Sequence, residues 1–170
     1  MRRYLKPIYN FVRQYLRAED DAEDASQDIF FKVWKYAGRF KHGKRFKPWL
    51  YTIARNTALD HIKKRRASAF SELDDVENGL EFEDTLKDEE PLPDEIFESV
   101  ESSAMLDTLL DTLHPDHRTV LILHYREEMT FNEIAIVMKK PMNTVKSWHR
   151  RALGKIRKVM SETGAYPRTK

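Results

Sequence analysis

Two stretches of this 170-residue chain set side chains at spacings suited to gripping nucleic acid. The first is the run Phe40-Lys41-His42-Gly43-Lys44-Arg45-Phe46-Lys47, followed by Trp49, Asn56 and Lys63. Cations interleaved with aromatics suit single strands, where positive charges track the phosphates and rings stack on unpaired bases. The cluster Lys63-Lys64-Arg65-Arg66 widens that phosphate footprint. The second stretch is Thr130–Arg151, TFNEIAIVMKKPMNTVKSWHRR, in which Asn143, Lys146, Ser147, Arg150 and Arg151 recur at helical spacing. Lys and Arg donate to guanine edges, Asn pairs with adenine, and any of them holds a phosphate. This chemistry is recognition, not bond-making. No nucleophile sits beside a base, no Gly-rich loop cradles a phosphate, and no carboxylates are paired for acid–base work. The chain has no Cys, and its six His show no recurring ligand spacing, so neither a metal nor a cofactor is expected.

The elements that must position these groups read as helices throughout. Gly is rare, β-branched alternation is scarce, and apolar residues recur at three and four. The spacing predicts a helix over about Leu5–Arg17, with Pro7 in its first turn, and a second over Asp21–Ala37 with an acidic first turn. A basic loop follows at Arg39–Lys47, and Pro48 opens a third helix to about Arg66. Residues 67–93 are acidic and aperiodic, ending in Pro91 and Pro93, and read as a flexible linker. Helices are then expected over Asp94–Leu113, Pro115–Tyr125 and Thr130–Met138, and after a turn at Lys139–Pro141 a longer one to about Met160. The expected fold is all-α: two small helical domains, 1–66 and 94–170, joined by the acidic linker 67–93. No apolar run approaches the roughly 20 residues that span a bilayer, and no signal peptide opens the chain. The sequence therefore reads as a cytoplasmic protein without membrane insertion.

Charge follows the same partition. Residues 1–66 hold 17 basic and 7 acidic residues, a net +10; residues 67–111 are net −15; residues 113–170 are net +7. Two nucleic-acid-facing modules flank a strap that DNA repels. Within the back module, Thr130-x-x-Glu133 forms a capping box, Ala135 permits close helix crossing, and Pro141 stops the first helix. Val145 falls ten residues after Ala135, with Ile134 and Met138 completing the wedge. This is a helix-turn-helix pattern, whose second helix lies in the major groove. Its turn carries Lys139 where Gly is usual. Trp148 is expected to pack or to lie on the DNA backbone.

In the front module, Asp24, Gln27, Asp28 and Phe31 share one face of the second helix, while Ala22, Ala25, Ile29, Val33 and Tyr36 make its core stripe. Phe31 and Trp34, rimmed by polar groups, point to a protein partner. On the third helix Trp49, Thr52, Asn56, Asp60 and Lys63 share one face, opposite Leu50, Ile53, Ala54, Thr57 and Ile62.

Taken in series, these stretches resemble an extracytoplasmic-function (ECF) sigma factor of bacterial RNA polymerase. DAEDASQDIFFKVWKY (Asp21–Tyr36) and PWLYTIARNTALDHIKKRR (Pro48–Arg66) are similar to the family's region two. LHPDHRTVLILHY (Leu113–Tyr125) with the helix-turn-helix is similar to region four. The resemblance implies that region two docks on the clamp helices of the β′ subunit through Asp24, Gln27, Asp28 and Phe31. It implies that Trp49, Arg55 and Asn56, with Lys63, engage the −10 element, and that Lys44, Arg45, Phe46 and Lys47 lie in the base-capturing loop. Region four is implied to dock on the β flap and to read the −35 element through Asn143, Lys146, Ser147, Arg150 and Arg151. Core RNA polymerase, promoter DNA and an anti-sigma factor are the implied partners, and the linker is implied to thread the polymerase. Family members usually carry a further helix before the position of Met1. Two other classes compete: a stand-alone helix-turn-helix regulator, and a helical nuclease holding metal on linker acids such as Asp84, Asp88 and Glu89.

Overall fold

The computed structural model describes residues 2–40, 43–69 and 103–163, and the chain divides into two compact units, 1–81 and 82–170. The described residues are helical, with no strand among them. The expected linker acids, including Glu81–Glu90, and residues 94–102 of the expected fourth helix lie outside the described residues.

In the first unit, a 3-10 turn over Arg2–Tyr4 runs into α1 (Leu5–Arg13), followed by α2 (Glu19–Tyr36) and α3 (Phe46–Ala69). Helix α1 stops at Arg13, four residues before the expected end, and Leu16 drops its side chain into the core of the unit. Helix α2 starts at Glu19, two residues before its expected start, so that Glu19, Asp20 and Asp21 sit where the helix dipole favours negative charge. The core is Ile8, Phe11 and Val12 from α1, Ala22, Ala25, Ile29 and Val33 from α2, and Leu50, Tyr51, Ala54 and Ala58 from α3. Tyr36, Ile53 and Ile62, expected in the apolar stripes, are only partly covered. Tyr51 is fully buried with its ring edge-on to Phe11 at 5.0 Å. Small residues on α2 let it lie close to α3. Three polar links fix their register: Asp21–Arg65 at 2.6 Å, Asp28–His61 at 2.9 Å, and Lys32 to Asp60 at 4.0 Å and Thr57 at 3.0 Å. Exposed pairs of this kind contribute about 0–1 kcal/mol each, so they align helices that apolar burial holds together.

In the second unit, α4 (Ser103–Asp111), α5 (Pro115–Leu121), α6 (Phe131–Met138) and α7 (Met142–Thr163) surround Leu109, Leu113, Val120, Leu123, Ile134, Val137, Val145 and Ile156. Helix α5 does not run unchanged to Tyr125 as expected. Residues Ile122–Arg126 widen into a π-turn, with the Glu127 amide donating to the Ile122 carbonyl at 3.1 Å. The widened turn brings His124 and Tyr125 against Phe131 and His149.

The expected capping box is present. Thr130 Oγ1 accepts from the Glu133 amide at 3.4 Å, and the Thr130 amide donates to Glu133 Oε2 at 2.9 Å. At the other end of α6, Lys139 takes a left-handed conformation, φ 53°. Its amide donates to the Ile136 carbonyl and the Lys140 amide to the Ala135 carbonyl, the paired bonds of a Schellman motif. Glycine is the usual residue there because a Cβ is crowded when φ is positive. Lys139→Gly should therefore raise the unfolding free energy by about 0.5–1 kcal/mol, after allowing for the freer unfolded chain. Chemical denaturation checks this, and a lowered midpoint would contradict it.

Candidate functional site

Three surfaces carry the residues singled out in the sequence, and each is built by its helix's buried side. On α7, Val145, Ala152, Leu153 and Ile156 are buried, which turns the opposite face outward. Asn143, Lys146 and Arg150 are exposed there, and Ser147 and Arg151 are half-exposed beside them. All five thus lie together on one side of the second helix of the helix-turn-helix. Donors for guanine, a side-chain amide for adenine and charges for phosphate are presented within about two helical turns.

Trp148 flanks this face without belonging to it. Its ring lies 6.0 Å from the His117 ring, and Lys140 Nζ lies 6.0 Å from its centroid. His149 points inward. Its Nε2 is 3.2 Å from Tyr125 Oη, and its ring packs edge-on to Phe131 and His124, both at 5.1 Å. His124 Nδ1 in turn donates to the Met129 carbonyl at 2.9 Å. The histidine cluster is a packing element of the domain, holding α7 against the turn before α6.

The second surface surrounds the start of α3. Gly43 takes φ 97° in the loop, a backbone conformation that favours glycine. Lys44, Arg45 and Lys63 are exposed. Phe46 and Trp49 are half-buried and spend their ring faces on each other at 5.6 Å, on Phe40 at 5.8 and 5.1 Å, and on Tyr4 at 5.5 Å from Phe46. These four rings form a platform that closes the base of the basic loop. Asn56 is half-exposed on the same face as Trp49, whereas Arg55 lies a quarter-turn away with its Nε enclosed.

The third surface is the outer side of α2. Asp24, Gln27 and Asp28 are exposed, Phe31 is 59% exposed and Trp34 72% exposed, with the two rings 6.2 Å apart. Trp34 belongs with the residues singled out on this face, and its position three after Phe31 is the signal that finds it. Asp28 sits at the edge, its carboxylate held by His61 of α3. An apolar pair rimmed by acids and amides is a protein-binding patch by composition.

A clear protonation shift falls beside the α7 face. Burial, with the charges of His114 and Arg151 close by, pushes the His117 imidazole down from 6.5 to about 4. At neutral pH it stands uncharged next to Trp148 and adds no repulsion to Arg151. Among the described residues no group of His, Asp and Glu could hold a metal ion, and no helix is long and apolar enough to cross a membrane.

Comparison with known proteins adds a consistent picture. The family described as Sigma-70 region 2 matches residues 1–68, and Sigma-70, region 4 matches residues 109–158. The RNA polymerase sigma-H factor of Pseudomonas aeruginosa is 32% identical over 85% of this chain and 76% of its own length. The ECF RNA polymerase sigma factor SigW of Bacillus subtilis is 27% identical over 94% of this chain and 86% of its own. Among solved structures, the sigma factor RpoE of Bartonella quintana, co-crystallised with the anti-sigma factor NepR, shares the fold at a TM-score of 0.69. It is 24% identical, with 92% of this chain and 91% of that chain covered.

The His117 shift gives a pH prediction. Between pH 6.5 and 4 the unfolded chain takes up a proton at His117 that the folded chain refuses, so stability falls as the pH falls through that window. His117→Gln lacks this contribution. Thermal unfolding from pH 7 to 4 should show the wild type losing stability relative to the variant, and parallel profiles would contradict the shift.

Proposed function

The chain belongs to the ECF sigma factors of RNA polymerase, proteins of transcription initiation, and from that premise we propose how its surfaces divide the work. The outer face of α2 docks on the clamp helices of the polymerase β′ subunit. Phe31 and Trp34 supply the apolar contact, and Asp24, Gln27 and Asp28 supply its polar rim. The basic loop and the start of α3 hold the melted −10 element. Lys44, Arg45 and Lys63 take phosphates there, Asn56 meets a base edge, and the Phe40–Phe46–Trp49 platform fixes the loop. The α7 face reads the −35 element in the major groove through Asn143, Lys146, Ser147, Arg150 and Arg151, while the second unit docks on the β flap. Residues 1–66 are region two, residues 94–170 region four, and 67–93 the linker that threads the polymerase. The protein is a cytoplasmic specificity subunit, not a catalyst.

The observation that carries this reading is the pairing of unlike surfaces in one chain. A cationic, amide-bearing helix face suits DNA, and a 72% exposed tryptophan beside a 59% exposed phenylalanine suits a protein. A stand-alone helix-turn-helix regulator has use for the first but gives no account of the second. An anti-sigma factor is the further partner we propose, supported by the complex in which RpoE of Bartonella quintana was solved. The α2 aromatic pair is the surface such an inhibitor gains most by covering, because covering it also blocks polymerase.

The primary test is run-off transcription by core polymerase on a library of genomic fragments, with and without the chain. New start sites that depend on the chain are expected; their absence would refute the reading. Two substitutions separate the surfaces. Trp34→Ala should weaken core binding by about 2 kcal/mol, roughly thirtyfold in Kd, and leave −35 preference unchanged. Arg150→Ala should leave core binding intact and relax discrimination at one −35 position by about 1–3 kcal/mol. Loss of both properties in either variant would contradict the division of labour.

A further inference from the structure

The N-terminal turn places cations where a helix is least able to use them. The 3-10 turn Arg2–Tyr4 continues directly into α1, so Arg2, Arg3 and Lys6 crowd the first turns of one helical segment with no acid among them. The start of a helix carries partial positive charge, so these three repel it as well as one another. All seven acids of residues 1–66 lie elsewhere, six on α2 and Asp60 on α3. Their ion pairs run to Arg65, His61 and Lys32. Among the described residues no carboxylate reaches Arg2, Arg3 or Lys6. Arg3 lies instead over the Tyr4 ring, 4.8 Å from its centroid, and donates to the Tyr4 hydroxyl.

Tyr4 carries this patch to the basic loop. Its ring meets Phe46 at 5.5 Å, and Phe46 lies between Arg45 and Lys47. Two cationic segments some forty residues apart are thereby pinned to one aromatic platform. Arg2, Arg3 and Lys6 thus sit against the helix dipole with no carboxylate of the described residues on them, an arrangement that an external polyanion offsets. We propose that Arg2, Arg3 and Lys6 bind the phosphate backbone of promoter DNA, continuing the track laid by Lys44, Arg45 and Lys47. This rests on the reading of that loop as a DNA contact. An acidic protein segment would be the other polyanion to fit, and it would make the same residues matter for core binding instead.

The test uses holoenzyme assembled with the full chain on a promoter fragment recovered by run-off transcription. Promoter affinity is measured across a salt series for wild type and for the triple variant Arg2→Gln, Arg3→Gln, Lys6→Gln. Each phosphate contact contributes a slope of about 0.7–0.9 in log K against log salt, so the variant's slope should be shallower by about 2–3. Core affinity should be unchanged, and the variant should melt no lower than wild type because repulsion at the helix start is relieved. The variant Arg2→Lys, Arg3→Lys keeps the charges and should keep the wild-type slope. An unchanged slope in the triple variant, a loss of core affinity in its place, or loss of slope in the lysine variant would overturn the proposal. A wild-type holoenzyme that forms no promoter complex would overturn the loop reading itself, and the proposal with it.

Discussion

Helix α2 presses Ala22, Ala25, Ile29 and Val33 against α1 and α3, and all four are excluded from solvent. A unit of three helices can bury only one side of its middle member. Small residues on that side bring α3 close enough for Asp21, Asp28 and Lys32 to reach Arg65, His61, Asp60 and Thr57. The register so fixed sets which residues of α3 face outward, and it leaves Phe31 and Trp34 on the far side of α2, largely uncovered by the described residues. Burying both faces would have required another helix or a partner. The exposed aromatic face of α2 and the outward face of α3 are thus two consequences of one packing contact.

The second unit solves a related problem with local chemistry. Its helices are short, and α6 spans only Phe131–Met138. A helix of this length has more unsatisfied end groups than internal bonds, so its termini decide whether it forms. Thr130 and Glu133 close one end, and the turn at Lys139 and Lys140 closes the other. With both ends sealed and Ile134, Val137 and Met138 buried, α6 becomes a rigid support on which Val145 seats α7. The price is a lysine held at positive φ. The sequence places Lys139 there, where glycine would be easier for the backbone, and the next residue, Lys140, lies over Trp148.

Much of this was legible in the residues. The all-α class, the core stripe of α2, the capping box and the outward face of α7 follow from spacing alone, because helical period and cap chemistry are local. The turn at Lys139 was readable as an exception, and the backbone there does adopt the conformation that glycine favours. What escaped depended on contacts between distant segments. Tyr51 belongs to neither face assigned to the third helix by period, yet it is fully buried, with Phe11 of α1 edge-on to it. Phe46 and Trp49 read as candidates to stack on bases, and only the fold reveals that both pack against Phe40 and each other, with Phe46 also against Tyr4. The π-turn at Ile122–Arg126 likewise has no local signature; it exists because His124 and Tyr125 must reach Phe131 and His149. Asp28, grouped by spacing with the partner-facing residues, is also a crosslink to α3, a second role that no single-helix pattern contains.

The central claim is that promoter recognition belongs to the complex of this chain with core polymerase, and not to the chain alone. Equilibrium binding of one promoter fragment and one scrambled fragment tests it, measured with the chain, with core polymerase, and with both. The account predicts strong discrimination between the fragments only when both proteins are present, with weak and nearly equal binding by either one alone. Tight, sequence-selective binding by the free chain, unchanged on adding core polymerase, would contradict it.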